Sequence, residues 1–247
     1  MTITNIVGHR GARNLWPENS ITGFRNVFDL AIEVVEFDVH LSDAGELLVI
    51  HDPTLERTTE GQGQVRALTP AARAELRLKD LEEGIPTLDD VLTVVTSKQG
   101  LQLLVEIKVD VDGQLYPGLP ARVIEVLESY DCAGRCHLTS FDPATLEECR
   151  RLAPQIPRLL TVNNKSMAQI ELARALQLAD KIGFQMELLE TEWDAITAKI
   201  PLEQLLVWAP NTREELEKWL GRGLGQIATD RPDLALAVRE RLANVAS

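Results

Sequence analysis

Side chains suited to proton transfer and cation binding are concentrated in the first 52 residues. Gly8-His9-Arg10-Gly11-Ala12 is followed by Pro17-Glu18-Asn19, then by Glu36-Phe37-Asp38, and then by His51-Asp52. Two histidines can carry protons, carboxylates can hold a hard cation, and an arginine can hold an oxyanion. This combination indicates cation-assisted chemistry on phosphate esters.

Two pairs of charged residues have the spacing of a strand. Glu36 and Asp38 are two positions apart in one apolar run, and Glu106 and Lys108 repeat this spacing in the next barrel strand. Alternate side chains of a strand point to the same face, so three carboxylates should converge. An all-oxygen set favours Mg²⁺ or Ca²⁺ over a soft metal. For any one acidic pair, salt bridging at the rim of a sheet is the alternative.

Short apolar runs alternate with segments of helical period. Eight strands are predicted, at 6–9, 34–40, 101–109, 137–141, 157–162, 182–187, 205–208 and 226–230. Helix starts are predicted from capping residues, at Asn19 or Ser20, Thr87, Asp142, Ser166, Thr212 and Asp230. Eight strands that alternate with helices predict an α/β fold, a (β/α)₈ TIM barrel, with an open doubly wound sheet as the alternative.

A ninth apolar run, 46–51, follows a short turn and predicts a β-hairpin with the second strand. A turn near Ala44 places Phe37 opposite His51, so the hairpin returns His51 to the side of Glu36 and Asp38. Residues 53–84 have no strand of the barrel pattern, and 70–81 could form a short helix. We interpret 53–84 as an inserted cap or lid that selects the substrate.

The motifs resemble the pattern of the glycerophosphodiester phosphodiesterase family. That pattern is present in order as His9-Arg10-Gly11, Pro17-Glu18-Asn19, Glu36-Phe37-Asp38, His51-Asp52 and Glu106-Ile107-Lys108. The similarity continues at 55–63, 85–88, 140–141 and 229–232, so it extends over most of the chain. The resemblance implies metal-dependent hydrolysis of a glycerophosphodiester to an alcohol and sn-glycerol 3-phosphate.

The resemblance also assigns Glu36, Asp38 and Glu106 as ligands of one divalent cation, Mg²⁺ or Ca²⁺, with Mn²⁺ as a further candidate. His9 and His51 are the predicted catalytic acid and base, because both follow strands at the face where barrel enzymes carry out chemistry. Which of the two is the acid stays open.

Other residues have two interpretations each. Arg10 and Lys108 are predicted to bind phosphate, although either could pair with a carboxylate of the site. Trp208 is a candidate wall for the substrate carbons or a packing aromatic. His40 could have a secondary role, whereas His137 is interpreted as structural. Glu18 and Asn19 are expected to support the loop or the helix that follows.

Composition limits the class of protein. A chain of 247 residues with 45% hydrophobic residues is expected to form a single domain. A net charge of −13 argues against nucleic acid as the partner and against docking on an anionic membrane. The chain has no leader pattern or long apolar run, and its three cysteines are expected to be free thiols. We therefore expect a soluble cytoplasmic protein, monomeric or homodimeric, that acts on a small molecule.

Two alternatives to hydrolysis remain open from the sequence. The same site could act as a lyase that stops at a cyclic phosphate. The chain could also be a catalytically idle protein that binds phosphodiesters, although two proton carriers would then have no use.

Overall fold

The computed structural model describes residues 3–167 and 170–246, and it contains a closed parallel barrel. Within this part of the chain the strands are β1 (Asn5–Gly8), β2 (Val34–Leu41), β3 (Leu47–Val49), β4 (Gln102–Ile107), β5 (Cys136–Ser140), β6 (Arg158–Val162), β7 (Lys181–Gln185), β8 (Leu205–Trp208) and β9 (Gln226–Thr229). All except β3 run parallel in the order β1-β9-β8-β7-β6-β5-β4-β2, and β1 also pairs with β2, which closes the ring. The predicted TIM barrel is confirmed.

Helices connect the strands on the outside of the barrel. They are α1 (Ile21–Asn26), α2 (Pro70–Glu75), α3 (Leu88–Val95), α4 (Leu119–Ser129), α5 (Pro143–Leu152), α6 (Asn164–Met167), α7 (Leu172–Leu178), α8 (Met186–Thr191), α9 (Trp193–Thr197), α10 (Arg213–Gly221) and α11 (Pro232–Ala246). Side chains of Ser20, Thr87, Asp142 and Thr212 each accept a hydrogen bond from a first-turn amide. These four predicted caps are confirmed, and each satisfies an amide that has no partner within its helix.

Two predicted caps are wrong. Ser166 lies inside α6, and the Asn163 side chain accepts from the amides of Lys165 and Ser166 instead. Asp230 does not cap α11, because the first amide hydrogen bond of that helix ends on the carbonyl of Arg231. The Asp230 carboxylate is instead committed to side chains at the carboxyl end of the barrel.

The hairpin has the predicted register. Val39 pairs with Val49 and His40 with Leu48, and the amide of Ile50 donates to the carbonyl of Asp38 at 3.2 Å. Continuing this register places Phe37 opposite His51. The predicted turn length was therefore sufficient to fix which residues of the two strands face each other.

Residues 53–84 contain a 3₁₀ helix, Val65–Ala67, and one short α-helix, α2, which ends at Glu75 and not at Leu81 as predicted. The backbone becomes extended at Leu76, and the side chain of Leu78 turns into a local apolar cluster. That cluster also contains Leu48, Ile50, Leu55, Val65, Leu68 and Ile85. The segment thus packs on the β2–β3 hairpin beside the carboxyl ends of the barrel strands.

The apolar core has two main layers. The larger layer fills the space between strands and helices and includes Phe24, Phe37 and Trp219. A smaller layer fills the inside of the barrel and includes Val7, Leu104, Leu159 and Leu206. This inner layer lies below the site described next, so the site is a cavity on a packed floor and not a channel.

The three cysteines, Cys132, Cys136 and Cys149, are buried free thiols, as predicted. In the described part of the chain, no helix combines the length and the apolar character needed to cross a membrane.

Candidate active site

Three carboxylates meet inside the barrel at the carboxyl ends of β2 and β4. Asp38 and Glu106 are register partners on these adjacent strands, and Glu36 precedes Asp38 by two residues on the same face. One oxygen of each lies within 4.8 Å of the others. All three residues are buried, with exposed fractions of 9% or less. The sequence therefore predicted this cluster correctly as a group of converging side chains.

Basic and amide groups offset part of this negative charge. Lys108 Nζ lies 2.6 Å from Glu106 and 3.3 Å from Asp38, and Asn19 Nδ2 donates to Asp38 at 2.9 Å. Burial alone would raise the pKa of Asp38, but Lys108, His51 and Arg10 hold it far below its usual range. Asp38 is therefore a permanent anion of the site.

Glu36 is the carboxylate whose negative charge is least neutralised by neighbouring groups. Burial and the charges of Asp38 and Glu106 raise its pKa well above the usual range. Its Oε2 accepts the amide of Arg10 at 2.8 Å, whereas its buried Oε1 has no hydrogen-bond partner in the described structure. An unpaired buried oxygen beside two more carboxylates fits a hard divalent cation, because such ions prefer several oxygen ligands. These residues thus fit the cation implied by the sequence resemblance.

A tight left-handed turn after β1 presents His9 and Arg10 to this cluster. Arg10, Gly11 and Ala12 have φ values of 51°, 72° and 68°. Residues other than glycine seldom adopt this conformation, which costs of the order of 1–3 kcal/mol each. The buried amide of Arg10 compensates by donating to Glu36. The turn therefore links the backbone at the end of β1 directly to the carboxylate cluster.

His9 is oriented by a carboxylate from the last barrel strand. Its Nδ1 donates to Asp230 Oδ1 at 2.6 Å, and its Nε2 lies 4.0 Å from Glu36 Oε2. Asn211 Nδ2 donates to the other oxygen of Asp230 at 2.8 Å. Burial opposes ionisation of Asp230, but His9 and Arg13 lower its pKa to about 2. His9 therefore has one nitrogen fixed by an anion and the other directed at the site.

His51 has a comparable arrangement built from neighbouring residues. Its Nδ1 donates to Asp52 Oδ1 at 2.6 Å, and Arg57 Nε donates to Asp52 Oδ2 at 2.6 Å. Arg57 also forks onto Glu18 through two hydrogen bonds of 2.8 and 2.7 Å. Burial and the positive charges of Lys108 and Arg10 lower the pKa of His51, against the opposing effect of Asp38. A neutral His51 ring can accept a proton.

Arg10 and Lys108, the two predicted phosphate ligands, both contact carboxylates. Arg10 Nη1 donates to Glu18 at 3.3 Å, and its Nε lies 3.6 Å from Asp38. Lys108 contacts Glu106 and Asp38 as described above. Both side chains therefore pair with carboxylates, which was the alternative to phosphate binding. This pairing also holds Arg10 and Lys108 at the edge of the cluster.

A cavity of about 280 Å³ lies beside the carboxylate cluster and the two histidines. Its polar wall is formed by His9, Arg10, Glu36, His51 and Glu106, and its apolar wall includes Leu104, Phe141, Leu206 and Trp208. The rings of Phe141 and Trp208 meet edge to face, with centroids 5.6 Å apart. Trp208 therefore lies in the cavity, as required for a wall against substrate carbons.

The remaining candidate residues do not line the cavity themselves. Glu18 accepts from Arg57, and Asn19 donates to Asp38, so both support other site residues, whereas the sequence led us to expect support of the loop or the following helix. His137 does not line this cavity. His40 does not line the cavity either, but its Nε2 lies 3.1 Å from the carbonyl oxygen of His51.

Three roles were not predicted from the sequence: Asp230 orients His9, Arg57 holds Asp52, and the hydroxyl of Tyr116 lies 2.9 Å from Nδ1 of His40. Asp230 could have been found, because β1 and β9 must be neighbours in a closed eight-stranded barrel, and His9 and Asp230 directly follow these strands. No comparable signal existed for Arg57, which lies in the irregular segment 53–84.

The sequence is similar to known proteins of one family over most of its length. The family model described as "Glycerophosphoryl diester phosphodiesterase family" matches residues 9–234. A glycerophosphodiester phosphodiesterase from Caldanaerobacter subterraneus is 28% identical over 93% of this chain and 95% of its own length. A glycerophosphodiester phosphodiesterase from Bacillus altitudinis is 27% identical over 97% of this chain and 100% of its own length.

Solved structures share the fold. The crystal structure of a candidate glycerophosphoryl diester phosphodiesterase from Agrobacterium tumefaciens has a TM-score of 0.89 and 28% identity, covering 98% of this chain and 99% of that one. An Oleispira antarctica phosphodiesterase in complex with its product sn-glycerol-3-phosphate has a TM-score of 0.81 and 24% identity, covering 96% and 97%. Since the family match spans nearly the whole chain and confirms the resemblance of its motifs, the chain belongs to the glycerophosphoryl diester phosphodiesterase family.

Proposed function

We propose that this protein hydrolyses glycerophosphodiesters to an alcohol and sn-glycerol 3-phosphate with the help of one divalent cation. The observation that carries the proposal is one cavity that is lined by two members of a buried three-carboxylate cluster and by two carboxylate-oriented histidines. The names of the full-length relatives and the product complex of the Oleispira protein support the same reaction.

Glu36, Asp38 and Glu106 would hold the cation, with Mg²⁺ or Ca²⁺ as the first candidates and Mn²⁺ as the next. When bound, such an ion polarises a phosphate oxygen and makes a nearby hydroxyl or water more acidic. Arg10 and Lys108 would donate hydrogen bonds to the remaining phosphate oxygens, since both basic side chains already lie beside the carboxylate cluster.

His9 and His51 would divide the proton transfers. Each ring donates its Nδ1 proton to a carboxylate, so each Nε2 is the atom that can take or give a proton. One Nε2 would remove the proton of the attacking oxygen, and the other would protonate the departing alkoxide. Asp230 and Asp52 stabilise the positive charge that each ring acquires when it holds two protons.

Trp208 and Phe141 would exclude water from one side of the phosphate and contact the carbon atoms of the substrate. The partner is thus a small molecule. A cytoplasmic location and a monomeric or dimeric state remain predictions from the sequence.

A coupled assay for sn-glycerol 3-phosphate release tests the proposal. Glycerophosphocholine, glycerophosphoethanolamine and glycerophosphoglycerol are supplied with EDTA and then with Mg²⁺, Ca²⁺ or Mn²⁺. We expect release only with a cation, and a loss of about 10²–10⁴-fold in His9→Ala and His51→Ala. His137→Gln is the matched control and should retain wild-type rates.

Two outcomes would contradict the proposal. Phosphorus NMR that shows a cyclic phosphate as the final product would identify a lyase. Substrate binding with no release under any cation would identify an idle binder. Wild-type rates in either alanine variant would refute the assignment of the histidines while leaving the reaction intact.

A further inference from the structure

His40 is a fully buried imidazole in β2 that the proposed reaction does not use. Its Nδ1 lies 2.9 Å from the hydroxyl of Tyr116, and its Nε2 lies 3.1 Å from the carbonyl oxygen of His51. Tyr116 comes from the loop between β4 and α4 and is itself buried, with an exposure of 4%. Two hydrogen bonds therefore connect this loop to the backbone of a candidate catalytic residue.

The direction of both hydrogen bonds follows from the chemistry of the groups. A carbonyl oxygen can only accept, so Nε2 of His40 carries the proton and donates to His51. When an imidazole carries its single proton on Nε2, Nδ1 has a free lone pair. The hydroxyl of Tyr116 is then the donor to Nδ1. Tyr116 thus fixes the tautomer of His40, and the tautomer fixes the hydrogen bond to His51.

The backbone of His51 has little other support from the sheet. Strand β3 ends at Val49, and the amide of Ile50 makes a last hydrogen bond to β2 through the carbonyl of Asp38. His51 lies one residue beyond that bond. The hydrogen bond from the imidazole of His40 therefore holds the backbone of His51 just beyond the last backbone pair of the hairpin.

We infer that Tyr116 and His40 are positioning residues, which hold the peptide group of His51 so that its ring faces the carboxylate cluster. The inference rests on the proposed function, because it gives this hydrogen-bond chain a role through the proton transfer assigned to His51. A displacement of 1 Å at a reacting group can cost about 100-fold in rate, so small losses of support are measurable.

Kinetics of four variants test the inference. Tyr116→Phe removes only the hydroxyl, and Tyr130→Phe is its matched control, because the other tyrosine of the chain contacts Thr93 and Asp89 away from the site. We expect Tyr116→Phe to lower kcat by about 10-fold with KM within about twofold, and Tyr130→Phe to leave both unchanged. His40→Gln can still donate to a carbonyl and should retain more kcat than His40→Leu, which cannot.

Imidazole ¹⁵N NMR of the full chain gives a readout without turnover, since the chain has four histidines. The inference expects an Nε2–H tautomer at His40 and His51 ring signals that shift in Tyr116→Phe but not in Tyr130→Phe. An Nδ1–H tautomer at His40, or unchanged His51 signals, would overturn it. Equal kcat in wild type and Tyr116→Phe, or equal losses in His40→Gln and His40→Leu, would do the same.

The two proposals fail separately. A wild-type protein that hydrolyses no glycerophosphodiester refutes the proposed function, and the His51 signals then still decide whether the hydrogen-bond chain positions that ring. If His40→Leu does not fold, Tyr116→Phe decides the kinetic test, because a buried hydroxyl is lost without any change in ring volume.

Discussion

His9 and Asp230 are separated by 221 residues, and the Nδ1 of His9 lies 2.6 Å from the Asp230 carboxylate. The pair forms because β1 and β9 are neighbours where the barrel closes, so the residues after both strands meet. Asn211 fixes the carboxylate further by donating to one oxygen and by accepting the amide of Asp230. The orientation of His9 thus depends on both ends of the sequence and on barrel closure.

Asp230→Asn should lower kcat by at least about 100-fold with little change in KM. The amide of the variant would present a donor to Nδ1 of His9, which favours the tautomer with the proton on Nε2. Steady-state kinetics on glycerophosphodiesters measure the effect. Asp233→Asn is the matched control, since Asp233 pairs with Arg231 on the surface and should not affect kcat. Similar rates in both variants would show that this carboxylate does not orient His9.

The same carboxylate should contribute to stability in a defined pH range. The pKa of Asp230 is about 2 in the folded protein and 3.8 as its ordinary value. Its contribution is therefore complete above pH 4 and is lost as the pH falls through 2. We expect wild type to exceed Asp230→Asn in free energy of unfolding at pH 5, and this difference to shrink by about 1–2 kcal/mol toward pH 2. Urea unfolding across this range is the measurement, and a constant difference would contradict the prediction.

The fold and the main site were predictable from the sequence because each signal was local. Strand alternation predicted the barrel, and the two-residue spacing of Glu36 and Asp38 predicted a shared face. The hairpin placed His51 correctly, because a short turn fixes the register of its strands.

The errors occurred where a long-range partner prevailed over a local preference. Asp230, two residues before Pro232, was predicted to cap a helix, but its carboxylate is turned toward His9 instead. The helix predicted at 70–81 ends at Glu75, because Leu78 packs into the apolar cluster of the insertion. Partners of this kind depend on packing between distant segments, which periodicity does not reveal.

Arg57 connects the inserted segment 53–84 to the site, so its substitution should affect catalysis more than stability. Arg57→Lys keeps the charge but cannot bind Asp52 and Glu18 with two pairs of hydrogen bonds. We expect kcat to fall by about 10-fold, and the free energy of unfolding to change by less than about 1 kcal/mol, because the arginine is partly exposed.

Arg73→Lys provides the matched control for this effect. Arg73 also lies in the insertion and also forks onto a carboxylate, that of Glu46, without contact to either site histidine. Arg73→Lys should leave kcat unchanged. For both variants, steady-state kinetics on glycerophosphodiesters measure kcat, and urea titration measures the free energy of unfolding. If both variants lose equal activity, the effect belongs to the packing of the insertion and not to the support of Asp52.

The carboxylate cluster should destabilise the protein when no cation is present, because it concentrates buried negative charge. Glu36→Gln removes the carboxylate whose Oε1 has no partner. In EDTA at pH 7, this variant should therefore be more stable than wild type by about 1 kcal/mol, equivalent to a rise in melting temperature of about 2–4 °C.

Added Mg²⁺, Ca²⁺ or Mn²⁺ should reverse that order. Binding to the folded state should raise the melting temperature of wild type but not of Glu36→Gln, which lacks one of the three ligands. Glu147→Gln, an exposed carboxylate paired with Arg174, should behave as wild type in both conditions. Differential scanning calorimetry with EDTA and with each cation measures both effects. A variant less stable than wild type in EDTA would show that Lys108 and Arg10 already neutralise the cluster, and equal stabilisation of both proteins by cation would place the ion elsewhere.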